Sequence, residues 1–427
     1  MVKQENAVQE NVGGHWLVSL AVLDDQQKYI AALRPEESYM VEGCAGSGKS
    51  VLAMIKFNQL CGNGAKPVYA TMMRGLTDTI ISEVLQSGDE GMEAARKYIR
   101  SNTRRLTSRS DHGKAWFYSS TSVGTCAMLA CINPQARYCL SGDSLVLDEC
   151  QDLSYKDFLK IVEGGGYKSI CWYGDDDQQL CDNLDGDVRH VRMHEIFEKC
   201  FNEDGENEKW YKLTWNYRIS RNVAKFIDEF QKIVPEERKM LAFSARGRHT
   251  DKPYLCGYET LEREINSVVE VIKNRKWYEP NGHSTAILIG GTNRQVEEMY
   301  TLISRKLQNT CVGRVDIQRR HGPTVRDGND WVTADPGAPI IVSTPLQSKG
   351  CQFDSVFVLA NTFGTNEGRV LSAKDLNGIH VAMTRSGGEL FVFYVGSIPP
   401  AFDQIPLALY EKSLTVTNTT AEDLGLD

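Results

Sequence analysis

Gly43 and Gly48, with four residues between them and followed at once by Lys49 and Ser50, lie in the stretch YMVEGCAGSGKSVLAM that runs from Tyr39 to Met54. In such a turn the backbone amides wrap phosphate oxygens at the N-terminus of the next helix. The lysine adds a point charge at the outer phosphates, and the hydroxyl residue holds Mg²⁺. The pattern assigns Gly43, Ala45, Gly46, Ser47, Gly48, Lys49 and Ser50 to a phosphate cradle, with Ser50 as a metal ligand. Side chains at Gly46 or Gly48 would collide with the phosphates or forbid the positive φ that aims the amides inward.

A second constellation follows the apolar run SLVL. Asp148 and Glu149 stand at its end, where doubly wound sheets place their ligands. Asp148 would hold Mg²⁺ through its water shell, and Glu149 would orient and deprotonate an attacking water. A further run, SICWYG, ends in Gly174-Asp175-Asp176-Asp177-Gln178, and the Gln178 amide is placed to sense the terminal phosphate.

Positioning these groups takes a layered α/β scaffold. Short apolar, β-branched runs alternate with helical periodicity, which predicts mostly parallel sheets covered by helices. Strands are expected from Pro67, Ser144 and Ser169 in the first half, and from Thr285, Pro339, Asp354 and Glu389 in the second, with helices near 222–234 and 294–307. The polar run from Asn202 to Lys209 is the best linker candidate. We therefore expect two domains: 1–205, carrying the cradle and a small basic insertion near 86–125, and 206–427.

The 427 residues suffice for more than one core. No stretch approaches the roughly 18 apolar residues of a membrane span, and the polar N-terminus does not read as a signal peptide, so a cytoplasmic protein is expected. The 12 cysteines include no CxxC pair and several lie in apolar runs, such as Cys139 and Cys171, which predicts buried thiols. His190 and His194, flanked by Cys181 and Cys200, have the spacing of one helical face, and a structural role is the better reading than zinc.

A net charge of −8 excludes a protein coated in base, so any nucleic-acid surface must be local. The most basic stretch runs from Arg96 to Lys114, with seven Lys and Arg against Asp111, and leads into Trp116, Phe117 and Tyr118. Arg96, Arg100, Arg104, Arg105, Arg109 and Trp116 would suit a surface that tracks a backbone and stacks bases. A solvated helix face or loop explains the same charges.

From about Leu23 to Val395 the chain resembles the UvrD/Rep group of superfamily 1 helicases. The resemblance is carried by LDDQQ, GCAGSGKS, LDECQD, GDDDQ, LTWNYR, TPLQSKGCQFDSV and IHVAMTR, in that order. It implies two RecA-like P-loop domains with ATP in the cleft between them. It further implies adenine reading by Gln27, adenine stacking by Tyr217, a γ-phosphate contact by Arg218, ribose-side contacts near Gly350 and Gln352, and an arginine finger at Arg385. Lys49, Asp148 and Glu149 then come from the first half and Arg218 and Arg385 from the second, so a complete phosphate cage requires the halves to close.

The departures fall at the nucleotide site as well as at the strand-binding positions. Val51 replaces the family's adenine-flanking arginine and Gln352 its acidic residue. Met72, Val123 and Cys181 stand where aromatic rings or a histidine are usual. The implied function is ATP-dependent translocation or unwinding on single-stranded nucleic acid, with DNA the expected strand. The alternative is an ATP-driven switch that repositions a protein partner such as a nuclease; no membrane is involved in either.

Overall fold

The computed structural model describes residues 23–413 apart from 73–75, 78–79, 82–83, 86–89, 111–112, 121–122, 126–141, 165, 179–188, 203–208, 234–240, 242–243, 248, 280–282, 312–314, 316, 321–325, 328–329, 332–338 and 365–370. Residues 203–208 of the linker candidate, Cys139 and Cys181 lie outside the described residues, as do the side chains of Arg104, Arg105, Arg109 and Trp116.

Among the described residues the strands are β1 (Tyr39–Gly43), β2 (Pro67–Thr71), β3 (Thr103–Ser110), β4 (Gly113–Ser120), β5 (Val123–Thr125), β6 (Ser144–Asp148), β7 (Ser169–Gly174), β8 (Trp210–Leu213) and β9 (Asn216–Ser220). They continue with β10 (Ala245–Gly247), β11 (Tyr254–Tyr258), β12 (Thr285–Ile289), β13 (Ile317–Arg320), β14 (Arg326–Asp327), β15 (Asp330–Trp331), β16 (Ile340–Ser343), β17 (Phe353–Leu359) and β18 (Ser386–Val395). The first sheet has the order β5-β2-β6-β7-β1-β8 and the second β11-β18-β17-β12-β16-β13. All their pairings are parallel. The protein is thus an α/β structure of two RecA-like sheet-containing domains.

Period-two alternation splits each strand between two cores. Met40, Val68, Ala70, Leu145, Leu147 and Trp172 pack on one face of the first sheet, and Tyr39, Val41, Tyr69, Val146, Cys171 and Tyr173 on the other. Burial on both faces explains why these strands read as continuous apolar runs. The second sheet divides in the same way, with Ala286, Leu288, Val356 and Val392 on one side and Ile287, Ile289, Phe357 and Phe393 on the other.

Two features bear on the site. The edge strand β8 of the first sheet pairs with β1, so this sheet draws on the chain as far as Leu213. The basic stretch opens with the helix Glu93–Asn102 and continues into the antiparallel ribbon β3–β4, after which β5 rejoins the sheet beside β2. Among the described residues no helix is long and apolar enough to cross a membrane.

Candidate active site

The turn after β1 delivers the cradle onto helix α2 (Lys49–Gly62). Gly46 has φ +80° and Gly48 φ +93°, conformations that an L side chain rarely adopts. A Cβ at Gly46 would lie 2.4 Å from Arg218 Cβ and 2.6 Å from Asn216 Oδ1, and one at Gly48 would lie 2.6 Å from Gln27 Nε2. The Lys49 ammonium donates to the carbonyls of Gly43 at 2.6 Å and Cys44 at 3.2 Å. Ser47 Oγ is buried without a hydrogen-bond partner inside the turn. A loop with an unspent hydroxyl, a folded-back ammonium and no room for Cβ atoms fits a bound phosphate chain.

Asp148 ends β6 and is fully buried. Its Oδ2 accepts from the Tyr69 hydroxyl at 2.9 Å and its Oδ1 from the Glu149 N–H at 3.0 Å. Burial and the adjacent Glu149 charge push its carboxyl up to about 6, against hydrogen bonds from Ser50 and Tyr69. A hard oxygen pair, the Ser50 hydroxyl and the Asp148 carboxylate, beside the cradle fits Mg²⁺.

Glu149 adopts the left-handed conformation at φ 57°, a strained choice for a residue with a side chain. Gln151 Nε2 donates to its Oε2 at 2.6 Å, and Gln151 Oε1 accepts from the Asp175 N–H at 3.1 Å. Burial pushes the Glu149 carboxyl up, but Lys349, Lys49 and Arg385 together outweigh it and hold the acid below its ordinary value. The residue is held ionised, as a proton acceptor must be.

The second domain reaches into this cluster at three places. Lys349, wholly buried, lies 2.5 Å from Asp152 and 3.9 Å from Glu149. Arg385, between the helix Ala373–Met383 and β18, donates through Nη2 to Gln178 Oε1 at 2.6 Å and through Nε to the Val381 carbonyl at 3.1 Å. Gln178 in turn donates to Asp175 Oδ2 at 2.6 Å. Arg218, on β9, donates through Nε to Gln352 Oε1 at 3.1 Å. Burial and the neighbouring Arg385 charge push the Arg218 guanidinium below its ordinary value. β9 itself is tied to the cradle, because the Tyr217 N–H donates to the Gly46 carbonyl at 2.9 Å.

Lys49, Ser50, Asp148, Glu149, Gln178, Arg218 and Arg385 therefore gather at one seam, with Tyr217 at its rim and 43% exposed. Gly350, at φ +77°, closes the same seam: a Cβ there would lie 2.5 Å from Leu76 Cδ2. Gln27 is nearby but turned inward, its amide engaged with Asp24 and Ser47. Lys349, Asp152 and Gln151 were not singled out from the sequence. Each lies in a segment already marked, LDECQD or TPLQSKGCQFDSV, yet nothing in residue type or spacing announces burial of a charge.

Of the strand-binding candidates, Arg96 is half-buried and donates to the Val84 carbonyl at 3.2 Å, whereas Arg100 is exposed. Met72 packs against the core beneath the first sheet. No disulfide joins the described cysteines, and no group of three metal-ligating side chains occurs among the described residues. His190 Nδ1 instead meets the Asp152 carbonyl at 3.1 Å.

Residues 23–165, about a third of the chain, match the DEAD/DEAH box helicase family, and the matched span holds the cradle and the Asp148–Glu149 pair. The match is to helicases more broadly than the UvrD/Rep group, and it makes the first domain an ATP-hydrolysing P-loop domain of helicase type. Among solved structures, Saccharomyces cerevisiae Dbp5 bound to RNA and ADP BeF3 is 11% identical with a TM-score of 0.48, covering 91% of this chain and 89% of its own. The C-terminal domain of a possible DNA helicase from Lactobacillus plantarum WCFS1 is 18% identical with a TM-score of 0.30, covering 46% of this chain and 98% of its own. No curated protein matches the chain.

Proposed function

We propose that the chain is a two-domain motor of the UvrD/Rep kind, cytoplasmic, that hydrolyses ATP between its domains and moves along single-stranded nucleic acid, DNA in preference to RNA. The observation that carries this reading is that both domains furnish the charges around one site: Lys49, Asp148 and Glu149 from the first, Arg218, Lys349 and Arg385 from the second. A site built this way is complete only when the domains are closed, and loss of the terminal phosphate removes the charge on which they converge.

In this account the cradle amides and Lys49 hold the phosphates, while Gln151 and Lys349 fix the carboxylate of Glu149 for proton abstraction from the attacking water. Arg385 meets charge that develops on the transferring phosphoryl group, a contribution typically worth about 10³–10⁵ in rate. Mg²⁺, when bound by Ser50 and Asp148, would neutralise phosphate charge. Gln178, bonded both to Arg385 and to Asp175, links the state of the finger to the loop after β7.

The ribbon β3–β4 is the proposed strand contact. Its register sets Arg105 opposite Tyr118, Thr107 opposite Trp116 and Arg109 opposite Lys114. One observation favours the second reading, a switch acting on a protein partner such as a nuclease: Arg96 and Met72 are occupied by the fold and not displayed to a strand. Steady-state ATPase with and without single-stranded DNA and RNA separates the two. Stimulation of about tenfold or more is expected of a motor; stimulation by a protein alone would replace the motor with the switch.

A further inference from the structure

We propose that this site accepts nucleoside triphosphates as a class and does not choose among their bases, an inference that rests on the nucleotide reading of the cradle given above. Reading a base edge requires a donor and an acceptor turned outward together. Gln27 is the side chain that sequence resemblance nominates for this, and in the structure it is 5% exposed and committed elsewhere. Its Nε2 donates to the Ser47 carbonyl at 2.9 Å, its Oε1 accepts from the Asp24 N–H at 3.1 Å, and its own N–H donates to Asp24 Oδ1 at 2.7 Å. These bonds form the capping box of helix α1 (Asp25–Ala31) and brace that helix against the phosphate loop.

Turning the amide to a base would strip the Asp24 N–H and the Ser47 carbonyl of these partners. Asp24 offers no substitute, since its Oδ1 serves Gln27 and its Oδ2 accepts from the Tyr217 hydroxyl. Gln27 is a brace, and its own polar atoms are spent on protein.

Among the described residues, exposed ring faces lie on the segment that bonds to the loop. Tyr217 is 43% exposed and anchored by its N–H to the Gly46 carbonyl. Trp215, two residues earlier, is 37% exposed, with the Arg246 guanidinium 3.8 Å above its ring. Faces of this kind stack on any base, because every base has a π-face.

The test is kcat/KM of the full chain for ATP, GTP, CTP and UTP with Mg²⁺. A base edge read through dedicated hydrogen bonds separates substrates by about 10⁴, and its absence predicts four values within about tenfold. Tyr217→Leu should raise KM for all four together. Gln27→Ala should lower all four by a common factor and leave the ATP-to-GTP ratio unchanged. A preference for ATP of about a hundredfold or more, abolished by Gln27→Ala, would overturn the inference. Displacement of a fluorescent ATP analogue by each of the four nucleotides reads the same selectivity independently of turnover. Equal displacement without hydrolysis would count against the hydrolase reading and support base indifference. Displacement by ATP alone would overturn base indifference, and displacement by none would overturn both.

Discussion

The ammonium of Lys349, from the second domain, stands 2.5 Å from Asp152 and 3.9 Å from Glu149 of the first, and all three side chains are buried. One cation thereby joins the proposed general base to the far wall of the cleft. Burial pushes the Asp152 carboxyl up more than Lys349 holds it down, so the pair is maintained against a desolvation cost. A contact that costs this much and spans two domains is better suited to coupling them than to stabilising either.

Lys349→Met should therefore destabilise the protein by about 3–5 kcal/mol, because it leaves buried carboxylates without their cation. Adding Asp152→Asn should recover part of that loss. Urea denaturation of the single and double variants checks this, and a single-variant cost below about 1 kcal/mol would mean that the pair is solvated in solution.

Lys49→Ala is expected to abolish turnover and to retain the fold, since the ammonium serves phosphate charge. A small loss of stability, about 1–3 kcal/mol, should accompany it, because the Gly43 and Cys44 carbonyls lose a buried donor. ATPase assays and circular dichroism melts test the two halves separately; normal hydrolysis would remove the cradle assignment.

Gly46→Ala and Gly64→Ala share a positive φ, +80° and +78°, but differ in surroundings. At Gly46 the new methyl meets Arg218 and Asn216 across the seam, whereas at Gly64 nothing lies within 4 Å. Both should carry a backbone cost of about 1 kcal/mol, and Gly46→Ala alone should lose nucleotide binding and expand in small-angle scattering. Equal behaviour of the two would contradict the closed seam.

Replacing Arg100, Arg104 and Arg105 together by Ala should flatten the log–log salt dependence of single-strand binding by roughly two units, at about 0.7 per lost phosphate contact. ATP turnover without nucleic acid should persist, since none of the three belongs to the phosphate cage. An unchanged slope would reduce the stretch to a solvated surface.

The central strands were legible because burial on both faces writes a continuous apolar run, as in SLVL and TAILI. β8 was not, because an edge strand with the sequence WYKL carries no such run. The β3–β4 ribbon was hidden by its charge, which in a linear reading suits a helix face or a loop equally. The phosphate cradle was legible because φ > 0 and close approach leave only glycine. The partners of Lys349, Gln151 and Gln27 were not, since residue type carries no record of which distant group a side chain meets.

The claim that ATP is hydrolysed by a site completed across two domains is tested most directly by Arg385→Ala, assayed for turnover and for nucleotide affinity side by side. Arg385 reaches the first domain through Gln178 at 2.6 Å, and a finger of this kind acts on the transition state. The account predicts a fall in kcat of about 10³ or more with nucleotide affinity nearly unchanged. A variant that hydrolyses ATP at the unaltered rate, or that loses affinity and rate in equal measure, would contradict it.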